Sequence, residues 1–230
     1  MENASLKVNK RGDVYIMTMN TGENRFNATF LAHLHEAFDF LEKTEGAAAL
    51  VTTSSDAKYF SLGLDIAELS QGAEKGIAFL EAYQKMLARL VALPMPTVAA
   101  INGHCTAGGG FFALCHDFTI ATEGKGLFFM NEIDLGLAFA EGMAAVLTHK
   151  LIGHKLLRDV GILGKRYPLA EAVSLGIFDA AVPAVNLMDR AISTAQMWAP
   201  KAAKRKAMGL IKNGLHESLI KALNHPVSPK

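Results

Sequence analysis

Short apolar runs alternate with helical stretches through the first two thirds of this chain, and that alternation limits the fold more than any other feature. Residues 47–53, 97–102, 118–122 and 127–130 are apolar runs of strand length, while 28–42 and 73–93 carry apolar positions at helical spacing. In the first of these helices the apolar positions are Phe30, Leu31, Leu34, Ala37, Phe38 and Leu41. A parallel strand pair needs a crossover, and an intervening helix supplies one, so the pattern predicts α/β layers with at least partly parallel pairing. The start differs. Residues 5–8 and 14–19 are β-like and flank Lys10-Arg11-Gly12-Asp13, which predicts a hairpin. Pro94 and Pro96 stop the second long helix. Further on, helical patterns cover 138–151, 154–163, 169–175, 186–198 and 202–223, with a short strand at 178–182.

A length of 230 residues suits one large domain, alone or with a small helical appendage. The net charge of +1 argues against a nucleic-acid footprint, and the basic cluster at 201–206 reads as a solvated helix face. Cys105 and Cys115 make no disulfide framework and fit small buried positions in a reducing compartment. No apolar run reaches the roughly 18 residues of a membrane span. The first residues show no apolar leader, and the Val-Ser-Pro-Lys tail is not a Ser-Lys-Leu signal, so the cytoplasm is the expected location.

Three segments could carry chemistry. In Lys58-Tyr-Phe-Ser-Leu-Gly-Leu-Asp-Ile-Ala-Glu-Leu69 a strand ends, Gly63 turns the chain and a helix begins. In Asn102-Gly-His-Cys-Thr-Ala-Gly-Gly-Gly-Phe111 the glycines allow a tight turn and close approach to the backbone. Free N–H groups at two such corners could together hold developing negative charge; on spacing alone each is more often a plain turn. The glycine run lacks both the P-loop Lys-Ser/Thr pair and the G-x-G-x-x-G spacing. In Leu127-Phe-Phe-Met-Asn-Glu-Ile-Asp-Leu-Gly-Leu137, Glu132 follows an apolar strand, so it is either a desolvated base or a surface carboxylate at a strand end. Asp134 reads as a turn anchor. The histidines have no metal-ligand spacing, Ser61 has no evident His/Asp partner, and His104 and His116 read as packing or hydrogen-bonding residues.

Together the segments resemble the enoyl-CoA hydratase/isomerase (crotonase) superfamily: F-x-x-G-x-D at Phe60 to Asp65, N-G-x-x-x-G-G-G from Asn102 with Ala107 departing at the first glycine, and E-x-x-x-G at Glu132 to Gly136. Residues 170–182 match a fourth stretch, A-x-x-x-G-h-V-d-x-V. The resemblance implies an α/β fold, a spiral of ββα units over residues 1–185, with a helical region at 186–230 that forms a homotrimer or a dimer of trimers. It implies an oxyanion hole from the N–H groups of Leu64 and Gly108. It also implies an acyl-CoA thioester substrate lying along Leu62, Gly63, Asp65 and Ile66, and no cofactor beyond the CoA of that substrate.

In the hydratases of this family two glutamates clamp a water. Here the first falls at Phe111, beside Phe112, and neither can hold water; only Glu132 remains. That arrangement resembles the Δ3,Δ2-enoyl-CoA isomerases, with Phe111 as an apolar wall of the substrate site. Glu141 lies in a stretch where some dienoyl-CoA isomerases place a second acid, and reads here as a helix start or surface residue. The rival expectations are a hydratase or other acyl-CoA reaction in the same fold, and a non-catalytic acyl-CoA-binding relative.

Overall fold

The computed structural model describes residues 1–227, so the end of the Val227-Ser-Pro-Lys230 tail lies outside the described residues. The chain opens on the hairpin, β1 (Leu6–Arg11) and β2 (Val14–Met19), and α1 (Ala28–Glu42) follows. Asn27 caps α1 by accepting the Phe30 N–H at 2.8 Å. Then come β3 (Ala49–Ser54), β4 (Tyr59–Ser61), α2 (Ile66–Leu69), α3 (Ala73–Ala92), β5 (Thr97–Ile101), β6 (His104–Thr106), α4 (Gly108–Leu114), β7 (Phe118–Thr122) and β8 (Leu127–Phe129). A 3₁₀ turn at Glu132–Leu135 precedes α5 (Glu141–Lys150) and α6 (His154–Leu157), the latter running into a π-helical turn at Arg158–Ile162. The remainder is β9 (Tyr167–Pro168), α7 (Leu169–Ser174), β10 (Ala180–Val182), α8 (Leu187–Trp198), α9 (Arg205–Leu215) and α10 (Glu217–Leu223).

Among the described residues the strands form two sheets. The larger has the order β1-β2-β3-β5-β7-β10 and is parallel apart from the β1–β2 hairpin. The smaller, β4-β6-β8-β9, is parallel except for its β8–β9 edge. Every residue of β3 and β5 is buried, as a parallel strand covered on both faces requires. Alternate residues divide between two cores: Leu50, Ala99 and Ile101 join the main one, while Val51, Val98 and Ala100 face α8 through Leu187, Ala191 and Ile192. Helix α8 therefore covers one face of the larger sheet, and Leu219 and Leu223 of α10 enter the main core. Buried Lys212 fixes α9 through its ammonium, which donates to Asp117 at 2.6 Å and to the Met95 carbonyl at 2.8 Å. Leu210, Ile211 and Leu215 on α9 remain exposed.

Three expectations change. The helix expected from residue 138 begins at Glu141, because residues 137–140 form an irregular segment that lines the cavity described below. The helix expected over 154–163 breaks into α6 and the π-helical turn. Finally, β6 interposes between β5 and α4, where the sequence suggested a direct turn into the helix; its three residues are defined by their pairing to β4 and β8.

Candidate active site

The pairing of β4 with β6 sets Tyr59 opposite His104 and Ser61 opposite Cys105, so the two strand-to-helix corners that follow lie side by side. Their approach leaves no room for side chains. A Cβ on Gly63, whose φ is +91°, would lie 2.6 Å from the Gly108 nitrogen; one on Gly108 would lie 3.0 Å from the Leu64 nitrogen. Between β6 and α4, Ala107 takes φ +46°, a conformation that L residues rarely adopt. Among the described residues, neither the Leu64 nor the Gly108 N–H has an intramolecular acceptor. That is the expected state for the first N–H of a helix such as α4.

Two residues brace this pair of corners. The Phe26 N–H donates to the Gly63 carbonyl at 2.8 Å, and the Phe26 carbonyl accepts the Asp65 N–H at 2.8 Å, holding Leu64 between them. The Tyr83 hydroxyl, fully buried on α3, donates to the Gly108 carbonyl, and its ring centroid lies 5.2 Å from that of Phe26. Ser61 also serves the backbone: its hydroxyl donates to the Asn24 carbonyl at 2.7 Å and accepts the Gly63 N–H at 3.1 Å.

A cavity of about 920 Å³ opens at these corners. Leu62, Leu64, Ile66, Thr106, Gly108 and Glu132 line it, as do Leu80, Phe139 and Met143. Glu132 begins the 3₁₀ turn, is 8 % exposed, and its Oε2 has no hydrogen-bond partner among the described residues. Burial raises its pKa from 4.5 to about 7, against a smaller opposing effect of its own backbone N–H. It is thus a carboxylate whose proton comes and goes near neutrality.

The structure brings together Glu132, Leu64, Gly108, Leu62 and Ile66 from the sequence reading. Asp65 instead caps α2 by accepting the Ala67 N–H at 2.9 Å, and Gly63 acts through its backbone conformation. Phe111 is fully buried and stands behind Phe139, edge-on at 5.6 Å, so Phe139 presents the apolar face to the cavity. Phe112 is likewise buried, against Phe26 and His116. His116 is a packing residue: Nδ1 lies 3.0 Å from the Phe112 carbonyl, Nε2 lies 2.9 Å from the Thr52 hydroxyl, and burial lowers its pKa to about 4. Glu141 starts α5 at the cavity rim, its side chain 69 % exposed and 3.5 Å from His225. Sequence reasoning missed Arg25, Tyr83, Gln84 and Phe139. Arg25 lines the cavity and pairs with Glu23 at 2.6 Å. The other three sit inside apolar patterns that read as core.

Comparison with known proteins agrees with this geometry. The family model described as enoyl-CoA hydratase/isomerase matches residues 9–227, and the chain belongs to that family. It is 30 % identical over 217 residues to "Enoyl-CoA delta isomerase 2, peroxisomal" of Arabidopsis thaliana, covering 91 % of this chain and 90 % of that one. The crystal structure of human mitochondrial delta3-delta2-enoyl-CoA isomerase superimposes with a TM-score of 0.84 at 28 % identity, over 95 % of this chain and 86 % of that chain. An enoyl-CoA hydratase/isomerase family protein from Pseudomonas syringae, at 22 % identity and a TM-score of 0.87, shares the fold over 96 % of this chain and 94 % of its own. Among the described residues no helix is long and apolar enough to cross a membrane.

Proposed function

We propose that the protein is a Δ3,Δ2-enoyl-CoA isomerase. The observation that carries this reading is a single buried, unpartnered carboxylate, Glu132, on the wall of the cavity that the Leu64 and Gly108 corners also line. A 3-enoyl thioester loses its C2 proton readily because the resulting dienolate spreads charge onto the thioester oxygen. Glu132 takes that proton and returns it to C4, the double bond moves from C3–C4 to C2–C3, and no atom is gained or lost. The Leu64 and Gly108 N–H groups hold the oxygen while it is charged, a contribution of about 3–4 kcal/mol per donor in comparable sites. Phe139, backed by Phe111, keeps the reacting carbons dry. Arg25 at the cavity wall suits the phosphates of CoA, and the reaction itself uses no further cofactor. The exposed Leu210, Ile211 and Leu215 support a trimer contact by the helices after residue 186.

One observation favours a second reading, hydration: Glu141 lines the same cavity. Its carboxylate is solvated and beside His225, whereas a water-clamping acid works from a desolvated position. Assays with 3-hexenoyl-CoA and 2-hexenoyl-CoA separate the two. The isomerase converts the first and leaves the second unhydrated; hydration of the second as the main reaction rejects the proposal.

The base must be ionised to act. With a folded pKa near 7, kcat/KM is expected to rise through about pH 7 and level off above it, whereas an ordinary glutamate would level off above about pH 5. A flat profile between pH 5.5 and 8 would exclude Glu132 as the free enzyme's base.

Tyr83→Phe tests the brace. It removes the hydroxyl that holds the Gly108 carbonyl and leaves the aromatic packing against Phe26 in place. One hydrogen bond contributes about 1 kcal/mol, so kcat is expected to fall about fivefold to tenfold with KM nearly unchanged. A rise in KM at constant kcat would mean that Tyr83 shapes the pocket, not the oxyanion contact.

A further inference from the structure

The cavity face of α3 is an apolar stripe broken by one polar residue. Ala73, Gly76, Ile77, Leu80 and Gln84 line the cavity at helical spacing, and the stripe ends on Gln84, about 16 Å along the axis from Ala73. Gln84 is 1 % exposed, and neither its amide nitrogen nor its amide oxygen has a hydrogen-bond partner among the described residues. Buried amides without partners are rare in native proteins, since each unmet group forfeits its hydration. The chain nevertheless makes room for this one. Its oxygen points at Gly142, where a Cβ would lie 2.2 Å away, and the Leu223 Cα would be 2.8 Å from that same Cβ. Helices α5 and α10 therefore close around the amide without satisfying it. A leucine or methionine would complete the stripe with Leu80 and Met143 and leave no polar group unmet.

We infer that Gln84 forms a polar subsite in the acyl pocket, which selects an acyl chain bearing a hydroxyl group remote from the thioester. A hydroxyl is the complement of a free carboxamide, because it donates to the oxygen and accepts from the nitrogen. A second carboxylate on the acyl chain fits poorly: it has no proton to give the amide oxygen, and Glu132 and Glu141 already line the same cavity. The subsite requires the Gln84 amide to turn from Gly142 toward the cavity that the residue lines. An unsubstituted chain of equal length fills the same space but leaves the amide desolvated, so the hydroxylated chain is preferred by about tenfold or more. This inference rests on the acyl-CoA reading of the cavity and refines its substrate class.

Binding, not turnover, is the test that separates the two. Octanoyl-, decanoyl- and dodecanoyl-CoA, and their terminally hydroxylated counterparts, would be titrated calorimetrically into wild type, Gln84→Met and Gln84→Leu. These saturated thioesters carry no double bond to move, so the outcome does not depend on isomerase activity. In wild type at least one hydroxylated member is expected to bind about tenfold or more tightly than its plain counterpart. In either variant that ratio is expected to vanish or invert. Equal binding at every length in wild type overturns the subsite, and needs no variant to fold. A hydroxyl preference that survives both substitutions overturns the assignment to Gln84. Failure of every thioester to bind overturns the acyl-CoA reading and the subsite with it.

Discussion

Glu132→Gln is expected to lose at least about 10⁴-fold in kcat on 3-hexenoyl-CoA, with KM little changed and the fold intact. General acid–base groups contribute about 10²–10⁴-fold for one proton transfer, and in the proposed mechanism one carboxylate performs both the removal at C2 and the return at C4. Glutamine keeps the shape and loses the carboxylate's ability to accept and return a proton, so binding and chemistry separate cleanly. The comparison variant is Glu141→Gln. Its exposed side chain at the rim should matter less than about threefold. Comparable losses in both variants would point to two cooperating acids and hence to water addition; activity retained in Glu132→Gln would remove the base from the mechanism altogether.

Gly63→Ala is expected to lower kcat by two to three orders of magnitude, about the effect of deleting one oxyanion donor. Two penalties coincide at this position. The φ of +91° is one that side chains avoid, and the new methyl would come within 2.6 Å of the Gly108 nitrogen. The contact forces the Leu64 and Gly108 corners apart, and hydrogen bonds weaken steeply with misalignment. Gly12→Ala isolates the first penalty. Gly12 also has a positive φ, +60°, but a methyl there would meet nothing within 4 Å, in a hairpin remote from the cavity. It should be destabilised by about 1 kcal/mol and keep full activity. If Gly63→Ala behaved like Gly12→Ala, losing stability but not kcat, the paired N–H groups would have no part in turnover.

Much of this architecture can be read from the residues alone. The apolar spacing of Ala28–Glu42 and the Asn27 cap mark the ends of α1, and the alternation of buried strands with helices announces the larger sheet. The glycine corners and Glu132 are each ambiguous on local signals, and only their order and spacing taken together point to one site. What stays hidden is set by distant partners. Strand β6 has three residues and exists through β4 and β8. Lys212 reads as one more cation on an amphipathic helix until Asp117, 95 residues away in sequence, is seen beneath it. Residues 138–140 have good helical propensity, yet tertiary packing keeps them out of the helix, and Phe139 lines the cavity. Tyr83 and Gln84 are the same case in reverse. Both sit in a helix whose periodicity marks them as core, and periodicity does not say what a buried polar atom faces.

The unpartnered carboxylate of Glu132 also bears on the stability of the fold that carries it. A folded pKa of about 7 against 4.5 in the unfolded chain means that the native state holds this proton more tightly. The stability so gained is complete below about pH 4.5 and is lost as the pH rises through 7, by up to about 3 kcal/mol. At physiological pH and above, the native protein therefore tolerates most of that deficit at a single side chain, a sizeable fraction of the stability of an ordinary domain. Random substitution to a neutral residue of similar size would relieve it in one step. An ionisable group held at such a cost is what a site needs when a single carboxylate must both take and return a proton near neutral pH.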